Sequence, residues 1–135
     1  MPASLNFVGG LLALGVVGAL ASGVVQHRET AAQTRRAAEV MTGGDADAGK
    51  AAIARFGCGA CHIIPGIDSA NGRVGPSLRG VSRRATIGGK LPNEPDGLTL
   101  WIRAPEHITP GTAMPEQDVS DRDARDIAAY LYTLR

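Results

Sequence analysis

The chain has 135 residues and a formal net charge of +1, and aromatic residues make up only 4% of it. A charge this close to neutral argues against a nucleic-acid-binding surface. A chain of this length holds one small domain plus an appendage, and with so few aromatic side chains that domain can bury only a modest apolar core of its own. The composition therefore leaves room for a non-protein group at its centre.

The first predicted element is a membrane helix within residues 1–26. No charged residue occurs in the 21 positions from Leu5 to Val25, and a helix needs ~20 apolar residues to cross a bilayer. A cleaved signal peptide is the alternative, because Ala19-Leu20-Ala21 fits a small-x-small cleavage site. The segment before it, MPASLN, lacks the Lys or Arg of a signal peptide, and this favours an uncleaved anchor.

Small residues recur on one face of this predicted helix. Gly15, Ala19 and Gly23 are spaced four residues apart, so the backbone of another helix can approach closely at this face. Small residues are also frequent in membrane helices in general. Their regular spacing nevertheless favours a dedicated partner helix, and we expect the anchor to pack on a membrane-embedded complex.

Residues 27–44 are predicted to form a short stalk. The segment is rich in Ala, Arg, Glu and Gln, which favour helix, and Gly43-Gly44 would end it. A helix over residues 26–41 would rise only about 24 Å at 1.5 Å per residue. We therefore expect a short connection to the membrane and not a long flexible tether.

Residues 45–135 are predicted to form an all-α domain that carries the function. Its first helix is expected within DADAGKAAIARFG, with Asp45 or Asp47 as the N-cap and Gly57 at its end. The segment EPDGLTLWIRA predicts a short second helix, which Pro105 would end.

A third helix is predicted to begin at Ser120, with Asp123 placed as in a capping box. Residues 66–93 are rich in Gly, Pro, Ser and Asn and predict an ordered loop with at most one helical turn, and no strand pattern is convincing. Three short helices and a long loop bury little apolar surface, so we expect a large apolar prosthetic group. The third helix has apolar residues at three- and four-residue spacing, which predict one buried stripe: Ile127, Tyr130, Leu131 and Leu134.

The only two cysteines, Cys58 and Cys61, are followed directly by His62. A redox dithiol of the thioredoxin type would need a βαβ unit, and a disulfide across so small a loop gains little stability. A zinc site would need four ligands, for which His27 and His107 are too scattered. The remaining interpretation is a c-type haem attachment site, in which each thiol bonds to one haem vinyl group and the histidine binds the iron.

Met114 is the candidate for the sixth iron ligand. It lies between Gly111 and Pro115, which would hold its sulfur in place, and it is the only methionine within residues 45–135. An ordinary loop methionine is the plainer interpretation, and His107 is the competing ligand. A His/Met pair would give a higher reduction potential than a His/His pair.

Four segments occur in the order typical of one protein family: CGACH, GRVGPSLRGV, LTLWIRAPEHITPGTAMP and DIAAYLYTLR. Through them the domain resembles a class I cytochrome c over nearly all of residues 45–135. The resemblance is greatest to the cytochrome c domain of subunit II of caa-type haem–copper oxidases, whose corresponding loop is similar to GGKLPNEPDGLTLWI. In this sequence a single predicted helix precedes the domain, as in membrane-anchored cytochromes, and not a copper-centre domain.

The resemblance implies one haem c and a role for each residue of the site. Cys58 and Cys61 match the thioether positions, His62 matches the proximal axial ligand, and Met114 matches the distal one.

Three further positions are implied for the haem surroundings. The carbonyl of Pro76 would accept the proximal imidazole N–H. Arg84 falls where the family often has an arginine near a haem propionate, although Arg83 is a rival for that position. Trp101 falls where an aromatic side chain packs beside the haem and the methionine sulfur.

With both axial positions filled, the domain is expected to carry single electrons and not to be an enzyme by itself. The resemblance favours transfer from a quinol–cytochrome c reductase to a haem–copper oxidase, as an integral or tightly docked subunit. The cytochrome subunit of a membrane-bound dehydrogenase is the alternative. A gas or redox sensor is less favoured because no signalling segment follows, and a peroxidase because no acid–base pair is evident.

The charges near the anchor conflict with the expected location. Arg28, Arg35 and Arg36 follow the predicted span, and by the positive-inside rule they would place the domain in the cytoplasm. The resemblance implies haem attachment outside the cytoplasmic membrane, which is the stronger constraint. We therefore expect a single-pass protein of the bacterial cytoplasmic membrane with its haem domain on the periplasmic side.

Overall fold

The computed structural model describes residues 2–135, with side chains described from Phe7 onward. Contacts group the chain into two compact units that divide between Gln33 and Thr34. The predicted anchor, residues 1–26, therefore falls in the first unit, and its Met1 and the side chains of residues 2–6 lie outside the described part.

The first unit is helical throughout its described length. Helix α1 spans Pro2–Thr42, and its last turns belong to the second unit. The most apolar 18-residue window within Phe7–Thr42 has a mean hydropathy of 2.2, and none of that window is buried. The helix is thus long and apolar enough to cross a membrane, by the same two measures that a signal sequence would also satisfy.

Two of the predicted helices of the domain are confirmed together with their caps. Helix α2 spans Ala46–Arg55, and the Asp45 side chain accepts hydrogen bonds from the amides of Ala48 and Asp47, which lower the pKa of Asp45. Helix α5 spans Asp121–Thr133, and its N-cap Ser120 accepts a hydrogen bond from the Asp123 amide.

The middle of the domain contains more structure than its sequence predicts. Helix α3 spans Pro95–Arg103 as expected, but Pro105 then begins a second short helix, α4, over Pro105–Ile108. Strands β1 (Thr86–Ile87) and β2 (Leu91–Pro92) form a small antiparallel pair in the segment expected to be loop. Strands of two residues show no alternating pattern, so periodicity cannot detect them.

Helix α5 is buried on more than the one stripe that its sequence predicts, because α2 and α3 both pack against it. Ile127 and Leu131 are buried as expected, whereas Tyr130 and Leu134 are half-buried. The positions with no exposed surface are alanines, whose small side chains let neighbouring helices approach: Ala124, Ala128 and Ala129.

Helices α2 and α5 touch through their backbones at Gly49. A Cβ atom built on Gly49 would overlap the carbonyl oxygen and carbon of Asp126. Because the obstacle is main chain, no rotation of a side chain could relieve the overlap. Glycine is therefore required where these two helices cross.

The last turns of α1 belong to the same compact unit as the domain. Ala38 and Thr42 are only 2% and 5% exposed. Arg35 forms ion pairs of 2.8 Å with Glu39 and with Asp47, the latter on α2. Residues 34–44, which the sequence assigns to a stalk, are thus packed onto the domain.

We predict that Gly49→Val destabilises the protein by about 3 kcal/mol or more, since the added atoms meet the main chain of α5. Chemical denaturation of the purified protein measures this loss. The matched control is Ala48→Val, which adds the same β-branched side chain at the exposed neighbouring position and should cost less than about 1 kcal/mol. Equal losses for the two variants would contradict direct backbone contact at Gly49.

Candidate functional site

A cavity of about 350 Å³ lies in the domain and is lined mainly by apolar side chains. This volume is within the range of roughly 300–1,000 Å³ typical of cofactor sites. Ile53 of α2 and Ile127 and Leu131 of α5 contribute to its wall. The structure brings to this one cavity every site residue predicted from the sequence: Cys58, Cys61, His62, Pro76, Arg84, Trp101 and Met114.

The two cysteines lie in a tight turn that follows α2. Gly57, with φ of 66°, ends the helix in the left-handed conformation, and a turn of 3₁₀ helix then covers Cys58–Ala60. The amides of Cys61 and His62 both donate to the Cys58 carbonyl, at 3.3 and 3.0 Å. Both cysteines are half-buried, and burial raises the pKa of the Cys58 thiol.

His62 is held in place by Gly75 and Pro76, which form a Gly-Pro turn beside its ring. Its Nδ1 lies 2.7 Å from the Pro76 carbonyl, which can only accept, so Nδ1 carries the proton and Nε2 is left free for a metal. Gly75 packs directly against the ring, because a Cβ on Gly75 would overlap the imidazole. Gly75 was not singled out from the sequence, although its place before a proline in a turn was the available signal.

Met114 lies in the connection between α4 and α5, which is braced by its own threonines. The Thr112 amide donates to the Thr109 carbonyl at 3.0 Å, and the Met114 amide donates to the Thr112 hydroxyl at 3.4 Å. The rival ligand His107 is not in the cavity lining, and its side chain is 83% exposed and paired with Glu116. The arrangement favours Met114 over His107.

Arg84 and Trp101 both line the cavity, and each is in contact with a nearby residue that restrains it. The Arg84 guanidinium donates to the Ser77 carbonyl and lines the cavity, whereas its rival Arg83 is exposed and does not. Gly88, with φ of 57°, lies against the Trp101 indole so closely that a Cβ there would overlap the ring. The hairpin β1–β2 thus supports the aromatic wall of the cavity.

One buried polar atom of the cavity wall has no partner. Among the side chains that the structure describes, Thr109 Oγ1 is the buried oxygen or nitrogen that makes no hydrogen bond, and Thr109 lines the cavity. Buried hydroxyls are almost always paired, and this one can donate to or accept from a polar group bound in the cavity. Thr109 could not be identified from the sequence, because its position five residues before Met114 gives no signal by itself.

These residues fit the prosthetic group that the sequence leads us to expect. Apolar walls suit a flat macrocycle, and a c-type haem requires two thiols that bond to the macrocycle together with an imidazole nitrogen and a thioether that bind its iron. The Arg84 cation and the unpaired Thr109 hydroxyl suit its carboxylates.

We predict that Gly75→Ala displaces the His62 ring, because the ring is fixed by Pro76 on one side and cannot yield to the added methyl group. In the haem-containing protein the expected result is a loss of the low-spin absorbance spectrum and at least about 2 kcal/mol of stability. The control is Arg73→Ala, an exposed change in the same loop. A normal spectrum for Gly75→Ala would contradict the tight packing on the imidazole.

Comparison with known proteins places this site in a family. The family model for cytochrome c matches residues 46–135, which include every predicted site residue. Cytochrome c oxidase subunit 2 of Alkalihalophilus pseudofirmus is 32% identical over 91 residues, which are 67% of this chain and 26% of that relative. The chain thus spans about a quarter of the length of the curated relative that it matches. A search of the solved structures gave no significant match. The matched region and the donor set of the cavity agree, and the chain belongs to the cytochrome c family.

Proposed function

We propose that this protein is a membrane-anchored monohaem cytochrome c that carries single electrons in a respiratory chain. The observation that supports it best is the meeting of Cys58, Cys61, His62 and Met114 at one apolar cavity. When bound, haem c supplies a one-electron redox couple. In this proposal Cys58 and Cys61 would hold the haem covalently, and His62 and Met114 would bind its iron.

The chain's own residues favour a carrier over an enzyme. With His62 and Met114 bound to the iron, no position would be left open for a substrate, and the mainly apolar lining would limit reorganisation around the redox centre. Pro76 fixes the tautomer and orientation of His62, while the Thr112 hydroxyl braces the Met114 backbone. These contacts hold the donor atoms in place, as a carrier requires.

The experiment that tests this function compares wild type with Met114→Ala. Wild type should retain haem on a denaturing gel, titrate as a one-electron couple, show the weak near-infrared methionine-to-ferric-iron band and bind no CO. Met114→Ala should keep the haem, lose the band and bind CO, because the sixth position is then open.

Three outcomes would reject parts of the proposal. Absence of covalently bound haem in wild type would reject the cytochrome function. A near-infrared band that persists in Met114→Ala would reject the ligand assignment. Ready CO binding by wild type would instead favour the gas sensor.

Exposed charges support a partner with an acidic docking surface. Glu116, Asp121, Asp123 and Asp126, four of the five acids in residues 116–126, have hydrogen-bond or ion-pair partners within the domain. The basic residues of 71–90, in contrast, form no ion pair among the described side chains, and four of the five are exposed: Arg73, Arg79, Arg83, Lys90 and the half-buried Arg84. Val74, which lines the cavity and is 75% exposed, lies within this basic segment.

We propose that the partner is a respiratory complex in the same membrane. The relative is named as an oxidase subunit, which supports delivery of electrons to a haem–copper oxidase from a quinol–cytochrome c reductase. Service as the cytochrome subunit of a membrane-bound dehydrogenase is the second candidate. In either case the proposal places α1 across the bacterial cytoplasmic membrane and the domain on its periplasmic side.

The anchor is proposed to pack on a helix of that complex through Gly15, Ala19 and Gly23, which are exposed in the described chain. The triple variant with leucine at these positions keeps the span apolar but fills the small-residue face. It should still insert and bind haem, yet separate from the complex during mild solubilisation. The control places leucine at Ala13, Val17 and Ala21, which share the four-residue spacing. If the variant with leucine at positions 15, 19 and 23 co-purified with the complex as well as the control does, attachment through this face would be contradicted.

A further inference from the structure

Three hydrogen bonds donated by Asn93, called here the staple, hold residues 81–85, the stapled segment that contains Arg84. The Asn93 backbone N–H donates to the Ala85 carbonyl at 3.1 Å. The Asn93 side-chain nitrogen donates to the carbonyls of Val81 and Arg84, each at 2.8 Å. The side-chain amide of Asn93, which follows β2, thus holds two carbonyls that precede β1.

Tyr132 ties this staple to helix α5. Its hydroxyl donates to Asn93 Oδ1 at 3.0 Å, and its side chain is only 8% exposed. Burial, with the nearby Glu94 carboxylate, raises the pKa of Tyr132 to about 12, so the hydroxyl keeps its proton and donates throughout the physiological pH range. Because Tyr132 donates to the amide oxygen of Asn93, the amide nitrogen is the atom that faces the two carbonyls, and both contacts agree with one orientation of the amide.

Arg84 is the charged residue of the stapled segment that lines the cavity. Its backbone carbonyl is held by Asn93, and its guanidinium donates to the Ser77 carbonyl, which lies between two lining residues, Pro76 and Leu78. Both ends of Arg84 are therefore fixed, one by the staple and one by the Gly-Pro turn segment. Loss of the staple would leave the guanidinium attached to a looser backbone.

We propose that Asn93 and Tyr132 are positioning residues that set the reduction potential by holding the Arg84 guanidinium against the cavity. The inference rests on the proposed function, since it requires haem in that cavity. A fixed cation beside a redox centre favours its reduced form, which carries less positive charge. Anything that lets Arg84 move away should therefore lower the potential.

The test measures midpoint potential and unfolding free energy for Tyr132→Phe and Asn93→Ala, with Arg84→Gln as the reference. We expect both positioning variants to lower the potential in the same direction as Arg84→Gln and by a smaller amount. Tyr130→Phe is the matched control, because Tyr130 lies on the same helix and donates at 2.7 Å to the Pro65 carbonyl, outside the stapled segment. It should lose stability comparably and leave the potential unchanged.

A double-mutant cycle separates positioning from general loosening. In the Arg84→Gln background, Tyr132→Phe should still lower the unfolding free energy but should cause no further shift of potential, since no guanidinium remains to be moved. Tyr132→Phe removes a single oxygen atom, so it decides the question even where Asn93→Ala fails to fold.

Three results would overturn the inference. One is an unchanged potential in Tyr132→Phe together with lost stability. Another is an equal shift in the Arg84→Gln background, and the third is an equal shift in Tyr130→Phe. Failure of the proposed function looks different, because wild type would then carry no haem and show no one-electron couple.

Discussion

The direct backbone contact between α2 and α5 is the constraint on which the rest of the domain depends. At Gly49 the two helices are closer than any side chain would allow. Helix α2 then leads straight into the turn that carries Cys58, while α5 supplies Ile127 and Leu131 to the cavity wall. If one helix shifted against the other, the cysteine thiols would therefore move relative to the opposite wall of the cavity. The two sides could then no longer hold the same group.

Within the frame set by that contact, backbone carbonyls restrain the residues of the site. The Cys58 carbonyl accepts two amides of its own turn, and the Pro76 carbonyl, 14 residues further along the chain, orients the His62 ring. Apolar surface alone could not give such placement, because the hydrophobic effect has no direction. Hydrogen bonds to backbone carbonyls supply direction, and the apolar lining supplies the driving force for burial.

Local sequence patterns predict those parts of this structure that are determined by interactions between residues close together in the chain. The caps at Asp45 and Ser120 and the end of the first domain helix before Gly57 are each set by a few adjacent residues, and each of these predictions agrees with the structure. The family predicted from the resemblance is confirmed by comparison.

Features made by distant residues could not be predicted in this way. The Asn93–Tyr132 bond joins residues 39 apart, and Gly49 meets Asp126 across most of the domain. The acidic run near the C-terminus has the composition of a solvated surface, but pairing with Arg55 and Arg103 neutralises much of it, which no local pattern shows. The axial roles of His62 and Met114 remain predictions that rest on the resemblance and the cavity.

The packing of residues 34–44 decides where a soluble fragment of this protein should begin. The Asp45 amide donates to the buried carboxylate of Asp126, and the Ala46 amide donates to Glu39, so the chain before α2 helps to cap it. A fragment cut at residue 45 would lack Glu39 and expose the surface that Ala38 and Thr42 cover. An expression fragment should therefore start at or before Thr34, and a protease that releases an intact domain must cut upstream of that residue.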